Sequence, residues 1–120
     1  MIEVTSKFPD LNGKSVFISG GGSGIGEYLT EGFVAQGAKV AFCQRSDATT
    51  LCDRLEKENG NRPVFLKCDV TDIDELKSTL ETAAKENGDI DVLVNNAGIA
   101  YKVLTCYFHA HMKYIIITRL

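Results

Sequence analysis

Five glycines stand close together in residues 19–26, between a short apolar run and a segment with helical spacing. The apolar run is residues 16–18, and the apolar positions Ile25, Leu29 and Phe33 follow the turn at helical spacing. Glycine adopts backbone turns that a side chain would block, and it lets the backbone approach an anion closely. The N-terminus of a following helix presents free N–H groups and the positive end of its dipole to that anion. The segment therefore predicts a phosphate-binding turn between a strand and a helix.

The spacing of these glycines excludes two common phosphate-binding motifs. A Walker A loop needs Lys and then Ser or Thr after its last glycine, whereas Glu27 and Tyr28 follow Gly26. The dinucleotide fingerprint G-x-G-x-x-G fits nowhere between Gly20 and Gly26. The spacing that does fit is G-x-x-x-G-x-G, formed by Gly20, Gly24 and Gly26. Taken alone, this spacing is also compatible with a plain tight turn.

Apolar runs alternate with segments of helical spacing through most of the chain. We predict strands at residues 14–19, 38–43, 64–68 and 91–94, and helices that begin near Ser23, Ala48 and Asp72 and stop at Gly37, Gly60 and Gly88. Strands that alternate with helices of roughly 10 to 15 residues indicate βαβ units and a parallel sheet. Right-handed crossovers then give a doubly wound α/β fold with strand order 3-2-1-4. The glycine turn lies at the switch point of such a sheet, which is where ligands bind.

One sequence detail concerns the start of the third helix. Thr71 and Asp72 are candidate N-caps, and Asp74 and Glu75 are placed to complete a capping box.

The composition indicates one soluble domain. The chain has 120 residues, of which 44% are hydrophobic and 24% charged. Its net charge of −3 does not suggest binding to nucleic acid. No apolar run approaches the roughly 20 residues of a membrane helix, and the N-terminus has no signal-peptide core. We therefore expect a cytoplasmic protein with neither a membrane nor a nucleic acid as its partner.

Three motifs resemble those of the short-chain dehydrogenase/reductase family, and they occur in the family's order. Residues 19–26 read S-G-x-x-x-G-I-G and resemble the family's T-G-x-x-x-G-I-G signature. Asp69-Val70, at the end of the third predicted strand, resembles the family's adenine-contacting Asp-Val. Residues 95–98 match the family's N-N-A-G motif at every position. The resemblance covers about residues 9–100 and implies a Rossmann-type fold that binds a nicotinamide dinucleotide.

The resemblance implies roles at the phosphates for five residues of the first motif. Gly20, Gly24 and Gly26 would shape the turn that holds the pyrophosphate. Ser23 and Ile25 would add contacts at the same turn.

The other two motifs would bind the remaining parts of the cofactor. Asp69 would accept a hydrogen bond from the adenine amino group, with Val70 beside it. Asn96, Ala97 and Gly98 would line the adenosine ribose and the approach to the nicotinamide. Without the resemblance, Asp69 is also compatible with a plain loop or capping carboxylate.

The choice between NAD and NADP is predicted from the end of the second strand. An acidic residue about 20 positions beyond the glycines would bind the ribose 2′-hydroxyl of NAD. Here Gln44 occupies that position and Arg45 follows it. A guanidinium can hold a 2′-phosphate through two charge-assisted hydrogen bonds. We favour NADP(H) over NAD(H), although Asp47 nearby could still serve a ribose.

The family's catalytic residues find no match in this sequence. The family uses a tyrosine in Y-x-x-x-K and a serine beyond the N-N-A-G motif, whereas the last serine here is Ser78. The residues four positions after the four tyrosines are Gly32, Thr105, His111 and Thr118. We therefore assign no catalytic residue and expect an oxidoreductase of this family represented by its cofactor-binding part, inactive alone. The alternatives are a non-catalytic dinucleotide-binding or interfering module, and a truncated fragment without function.

The composition changes after Ala100. All 16 acidic residues precede it, whereas residues 101–120 carry three basic residues and both histidines. We therefore divide the chain into a dinucleotide-binding half domain at residues 1–100 and an atypical basic, apolar tail at residues 101–120, and expect the chain to be truncated. A short helix around residues 104–111 and a β-branched strand at 114–118 would cover the apolar edge of the fourth strand.

A metal site in this tail is not expected. Cys106, His109 and His111 are close in sequence, but they offer three ligands on one segment with no fourth. The family's subunits associate mostly through later helices, so the sequence does not predict an oligomeric state.

Overall fold

Strands and helices alternate along the chain, as the apolar pattern predicts. The structure is a computed structural model that describes residues 8–22, 24–96 and the backbone of 114–117. The strands are β1 (Ser15–Ser19), β2 (Lys39–Gln44), β3 (Val64–Lys67), β4 (Val92–Asn95) and β5 (Tyr114–Ile117). The helices are α1 (Gly24–Ala35), α2 (Thr49–Asn59) and α3 (Ile73–Asn87), preceded by a 3-10 turn at Pro9–Leu11. The predicted strand and helix ends lie within two residues of these bounds.

The strands form one parallel sheet in the order β3-β2-β1-β4-β5. This confirms the predicted order 3-2-1-4 and the doubly wound α/β class. The predicted fifth strand is also present, pairing with β4 in the register Val92↔Tyr114 to Asn95↔Ile117. The predicted tail helix around residues 104–111 lies outside the described residues. Since the chain leaves β1 toward β2 on one side and β4 lies on the other, the switch point is between β1 and β4.

Two apolar layers cover the two faces of the sheet. Alternate residues of a strand point to opposite faces, and all five residues of β1 are buried. On one face Ile18 packs in a cluster with Val34 of α1 and Leu55 of α2. On the other face Phe17 packs in a cluster with Leu80 of α3. Burial on both faces explains why the central strands are continuous apolar runs rather than alternating patterns.

The cysteines of the described residues belong to these layers. Cys43, Cys52 and Cys68 are buried, and none of them forms a disulfide. Burial raises the pKa of the Cys43 thiol to about 12, and it raises the pKa values of the other two thiols as well. These three residues behave as small apolar side chains rather than as nucleophiles.

The capping box predicted for α3 forms only in part. Asp72 is the N-cap, and its Oδ1 accepts a hydrogen bond from the Glu75 N–H at 3.1 Å. In the reciprocal half of a capping box, the Glu75 carboxylate would accept from the Asp72 N–H. Here that N–H donates to the Asp69 carbonyl at 3.0 Å, so Glu75 Oε1 accepts from the Asp69 N–H instead, at 3.3 Å. The first turn of α3 is therefore tied directly to Asp69.

Candidate functional site

The turn between β1 and α1 contains two glycines in the left-handed backbone region. Gly20 has φ +71° and Gly24 has φ +57°, angles that residues with a side chain rarely adopt. A Cβ placed on Gly24 would have no non-neighbouring atom within 4 Å, so it is the backbone angle, not close packing, that favours glycine at this position. The open space beside Gly24 lies at the first residue of α1, where the helix dipole favours an anion. The turn thus has the geometry of an anion cradle.

Gly26 is required for a different reason, which is close packing. A Cβ placed there would lie 1.8 Å from the carbonyl oxygen of Gly20 and 2.7 Å from Nδ2 of Asn96. Gly21 is similarly close to the sheet, since its Cβ would lie 2.4 Å from Cβ of Phe42. These contacts bring the first turn of α1 down onto the end of β1. No side chain at these glycines stands between the backbone and a ligand.

Three neighbouring elements hold the turn in place. Asn96, directly after β4, donates from Nδ2 to the Gly20 carbonyl at 3.1 Å. The Gly20 N–H donates to the Cys43 carbonyl of β2 at 2.8 Å. The hydroxyl of Thr30 on α1 lies 2.8 Å from the Gly21 carbonyl and 2.9 Å from the Gly26 carbonyl. The cradle is therefore fixed from both neighbouring strands and from its own helix.

Thr30, whose hydroxyl bonds to the carbonyls of this turn, belongs to no motif in the sequence. It is fully buried in α1, four residues after Gly26. A sequence can indicate such a residue only by a threonine on the buried face of a helix that follows a glycine turn. A buried threonine hydroxyl on a helix needs a hydrogen-bond partner, which is usually a backbone carbonyl.

The ends of β1 and β4 meet beside the turn. Ser19 and Asn95 are paired in register, and the Ser19 hydroxyl donates to Asn95 Oδ1 at 3.2 Å. Both residues are buried. The Nδ2 atom of Asn95 is buried without a hydrogen-bond partner among the described residues. The floor of the cleft at the switch point is therefore polar.

The end of β2 folds back over the glycine turn. Gln44 Nε2 donates to the Ser46 carbonyl at 2.9 Å, and a Cβ placed on Gly22 would lie 1.9 Å from Gln44 Oε1. Arg45 is exposed and forms no ion pair within the described residues. Asp47 accepts a hydrogen bond from the Thr49 hydroxyl at 2.7 Å, at the start of α2. A neutral amide thus borders the turn, and the exposed Arg45 follows it at the end of β2.

Asp69 lies at the same edge of the sheet, just after β3. Its Oδ1 accepts hydrogen bonds from the Thr71 N–H at 2.9 Å and from the Thr71 hydroxyl at 2.6 Å. These bonds, with a smaller contribution from the positive charge of Arg45, lower the pKa of the Asp69 carboxyl. Val70 is half-buried and packs against the apolar layer under α3. Thr71 carries no signal of a site residue in the sequence, because only the folded loop shows that its hydroxyl reaches Asp69.

The parallel register brings the predicted site residues to one edge of the sheet. Ser19 is level with Cys43 and Asn95, and Gln44 is level with Lys67, so the turn, Arg45, Asp69 and Asn96 all follow the carboxyl ends of adjacent strands. Ile25 lies at the start of α1 and is 47% exposed. The remaining predicted residues, Ser23, Ala97 and Gly98, lie outside the described residues.

Within residues 8–22 and 24–96, no group of three or more His, Cys, Asp or Glu side chains could hold a metal ion. Cys106, His109 and His111 lie outside this range. No helix in the described part of the chain is long and apolar enough to cross a membrane.

Comparison with known proteins identifies relatives of this chain. A family model described as short chain dehydrogenase matches residues 14–113. The D-xylose 1-dehydrogenase of Caulobacter vibrioides is 45% identical over 94 residues, which cover 76% of this chain and 36% of that protein. This chain therefore spans little more than a third of the length of the curated relatives it matches.

Solved structures show the same fold with nicotinamide cofactors. A short chain dehydrogenase from Burkholderia cenocepacia in complex with NADP has a TM-score of 0.68 and 32% identity, over 74% of this chain and 37% of its own. An NADH-dependent reductase, A1-R′, complexed with NAD has a TM-score of 0.66 and 30% identity, over 73% of this chain and 37% of its own.

Proposed function

The chain belongs to the short chain dehydrogenase family, and on that premise we propose that it binds NADP(H) at the carboxyl edge of its sheet. The observation that carries this proposal is the glycine cradle between β1 and α1. Gly20 and Gly24 adopt left-handed backbone angles, and Gly26 leaves no space for a side chain. Solved relatives with this fold bind NADP or NAD, which supports a nicotinamide dinucleotide as the ligand.

The residues present fit the parts of a dinucleotide. The cradle and the N-terminus of α1 would hold the pyrophosphate, with contacts from Ser23 and Ile25. Asp69 and Val70 would hold the adenine. Asn96 shapes the cradle through its hydrogen bond to Gly20, and with Ala97 and Gly98 it would border the ribose and the nicotinamide side. The family's motifs support these contacts.

The environment of Arg45 supports the choice of NADP(H). A 2′-phosphate carries negative charge, so it needs a cation and the absence of a competing carboxylate at the end of β2. Arg45 supplies the cation, and Gln44 places a neutral amide where an NAD-binding acid would stand. The cation and the neutral amide both favour a phosphate over a bare 2′-hydroxyl. Asp47, which uses Oδ1 to accept from the Thr49 hydroxyl, is the alternative ligand for the ribose of NAD.

Reversing the charge of Arg45 tests this choice. We expect Arg45→Glu to weaken NADPH binding by about tenfold or more, because the attraction between Arg45 and the 2′-phosphate becomes a repulsion. NADH has no 2′-phosphate, so its binding should change little. Fluorescence titration with both cofactors measures the two affinities. Lys39→Glu makes the same charge change at the exposed opposite end of β2 and should alter neither. Tighter binding of NADH by the wild-type chain, or no loss for NADPH on Arg45→Glu, would contradict the proposal.

For the whole protein, we propose an NAD(P)-dependent oxidoreductase of the family's type. When bound, the nicotinamide supplies or accepts a hydride. The residues of this chain would bind and orient the dinucleotide: the cradle fixes its phosphates and Asp69 its adenine. No Y-x-x-x-K occurs among the 120 residues, so the proton-donating tyrosine is not among the groups that this chain contributes.

We therefore expect the 120-residue chain to bind cofactor without turnover. The measurement is NADPH oxidation or NADP reduction with a panel of carbonyl compounds and alcohols, run beside a cofactor titration. Binding without turnover is the predicted result and fits the cofactor-binding part of an enzyme or a non-catalytic dinucleotide-binding module. Clear turnover would show that another group replaces the missing tyrosine.

A further inference from the structure

We infer that Thr71 is a positioning residue for the adenine end of the cofactor. It holds one oxygen of the Asp69 carboxylate and leaves the other oxygen to accept from the adenine 6-amino group. This inference rests on the proposed function, since it assigns Asp69 to the adenine. It adds Thr71, which directly follows the Asp69-Val70 pair, to the residues assigned to the adenine.

The hydrogen bonds of the loop carry the inference. The Thr71 hydroxyl and the Thr71 N–H both donate to Oδ1 of Asp69, at 2.6 and 2.9 Å. Two donors on one oxygen restrict rotation of the carboxylate about its last side-chain bond. None of the hydrogen bonds found within residues 24–96 uses Oδ2 of Asp69. One carboxylate oxygen is therefore fixed, and the other keeps its full capacity to accept.

The backbone of Asp69 is held by the start of α3. Its N–H donates to Glu75 Oε1 at 3.3 Å, and its carbonyl accepts from the Asp72 N–H at 3.0 Å. Glu75 is held in turn, because its own N–H donates to Asp72 Oδ1 at 3.1 Å. Asp69 is thus fixed at its amide, its carbonyl and one carboxylate oxygen. An exposed loop that was not tied in this way would lose more conformational entropy when it ordered around a ligand.

The charge on Asp69 suits a ligand that donates a hydrogen bond. The hydrogen bonds from Thr71, and to a smaller extent the nearby Arg45, lower the pKa of the Asp69 carboxyl, so it is ionised at neutral pH. An ionised carboxylate only accepts hydrogen bonds. Adenine presents an amino donor at C6, whereas hypoxanthine presents an oxygen acceptor there. The Asp69–Thr71 pair should therefore discriminate between the two bases.

Removal of the Thr71 hydroxyl tests the inference with a matched pair of ligands. NADPH and its hypoxanthine analogue differ along one edge of the base: the amino group at C6 becomes a carbonyl oxygen, and N1 gains a hydrogen. We expect Thr71→Val to weaken NADPH binding about five- to tenfold, because the Asp69 carboxylate loses a hydrogen bond. Binding of the hypoxanthine analogue should weaken by less than about twofold. Thr71→Ser keeps a hydroxyl and should restore wild-type binding of NADPH. Thr82, on α3, has an exposed hydroxyl that donates to the Ser78 carbonyl, and Thr82→Val should change neither affinity.

A measurement without cofactor completes the test. Carboxyl NMR of the cofactor-free chain should show a higher pKa for Asp69 in Thr71→Val than in the wild type or Thr71→Ser. Equal loss of both ligands in Thr71→Val, or an unchanged Asp69 pKa, would overturn the inference while leaving the proposed function intact. If the wild-type chain binds neither ligand, the proposed function fails and this inference fails with it.

Discussion

Replacement of Gly26 with alanine is expected to abolish dinucleotide binding by the 120-residue chain. The new methyl carbon would lie 1.8 Å from the Gly20 carbonyl oxygen, far inside van der Waals contact. That oxygen belongs to the backbone of the cradle, and it also accepts the hydrogen bond from Asn96, so it cannot move freely. The first turn of α1 must shift away from β1, and the phosphate-binding N–H groups shift with it. We expect a loss of about 2 kcal/mol or more in unfolding free energy, as for an overpacked core.

Gly32 provides the matched control for this substitution. It lies in the interior of the same helix, where an added Cβ would meet no atom within 4 Å. Gly32→Ala should leave cofactor affinity unchanged and raise the unfolding free energy by up to about 1 kcal/mol, because alanine favours the helix. Fluorescence titration with NADPH and urea unfolding give the two quantities. Wild-type affinity in Gly26→Ala would contradict the role of the close packing at this turn.

Asn96→Asp is expected to have the second large effect. The Asn96 amide is buried and donates to the Gly20 carbonyl across the switch point. A carboxylate would direct negative charge at that carbonyl oxygen and at the space proposed for the phosphates. The Gly20 carbonyl would lose its hydrogen-bond donor, and the new carboxylate would repel the phosphates. Because a buried unpaired charge costs several kcal/mol, we expect NADPH affinity to fall by about a hundredfold.

Asn61 separates an effect on the site from an effect on stability. Its amide also donates to backbone carbonyls, those of Val34 and Ala38, near the opposite end of β2. Asn61→Asp should therefore destabilise the fold, as Asn96→Asp does, yet the folded fraction should bind NADPH normally. Urea unfolding and titration below the unfolding transition measure the two effects. Equal losses of affinity in the two variants would show that the effect of Asn96 is only a general loss of stability.

The fold was predictable because it depends on patterns that repeat along the chain. Apolar runs separated by helical spacing predicted four strands and three helices, and the handedness of crossovers then predicted the order 3-2-1-4, which the sheet has. The β-branched run at residues 114–118 also predicted a strand, which pairs with β4. These patterns extend over many residues, so one atypical residue does not change the predicted strand or helix.

The contacts that shape the site were less predictable because they join distant residues. The motif that contains Asn96 was recognised, but its hydrogen bond to Gly20 spans 76 positions and follows only from the pairing of β1 with β4. Thr30 bonds to the turn through its hydroxyl, and Thr71 bonds to Asp69 through its hydroxyl and its N–H. A single threonine carries little signal in a sequence. The Glu75 carboxylate accepts from the Asp69 N–H rather than from the Asp72 N–H, because the Asp72 N–H donates to the Asp69 carbonyl in a tight turn.

Isothermal titration of NADPH into the 120-residue chain tests the central claim most directly. The cradle, Arg45 and Asp69 lie along one sheet edge, so a single cofactor should bind, tighter than NADH, and the heat of binding should vanish in Gly26→Ala. Binding to the native state should also raise the thermal midpoint with increasing NADPH. A chain that unfolds cooperatively but gives no saturable binding to either cofactor would contradict the account.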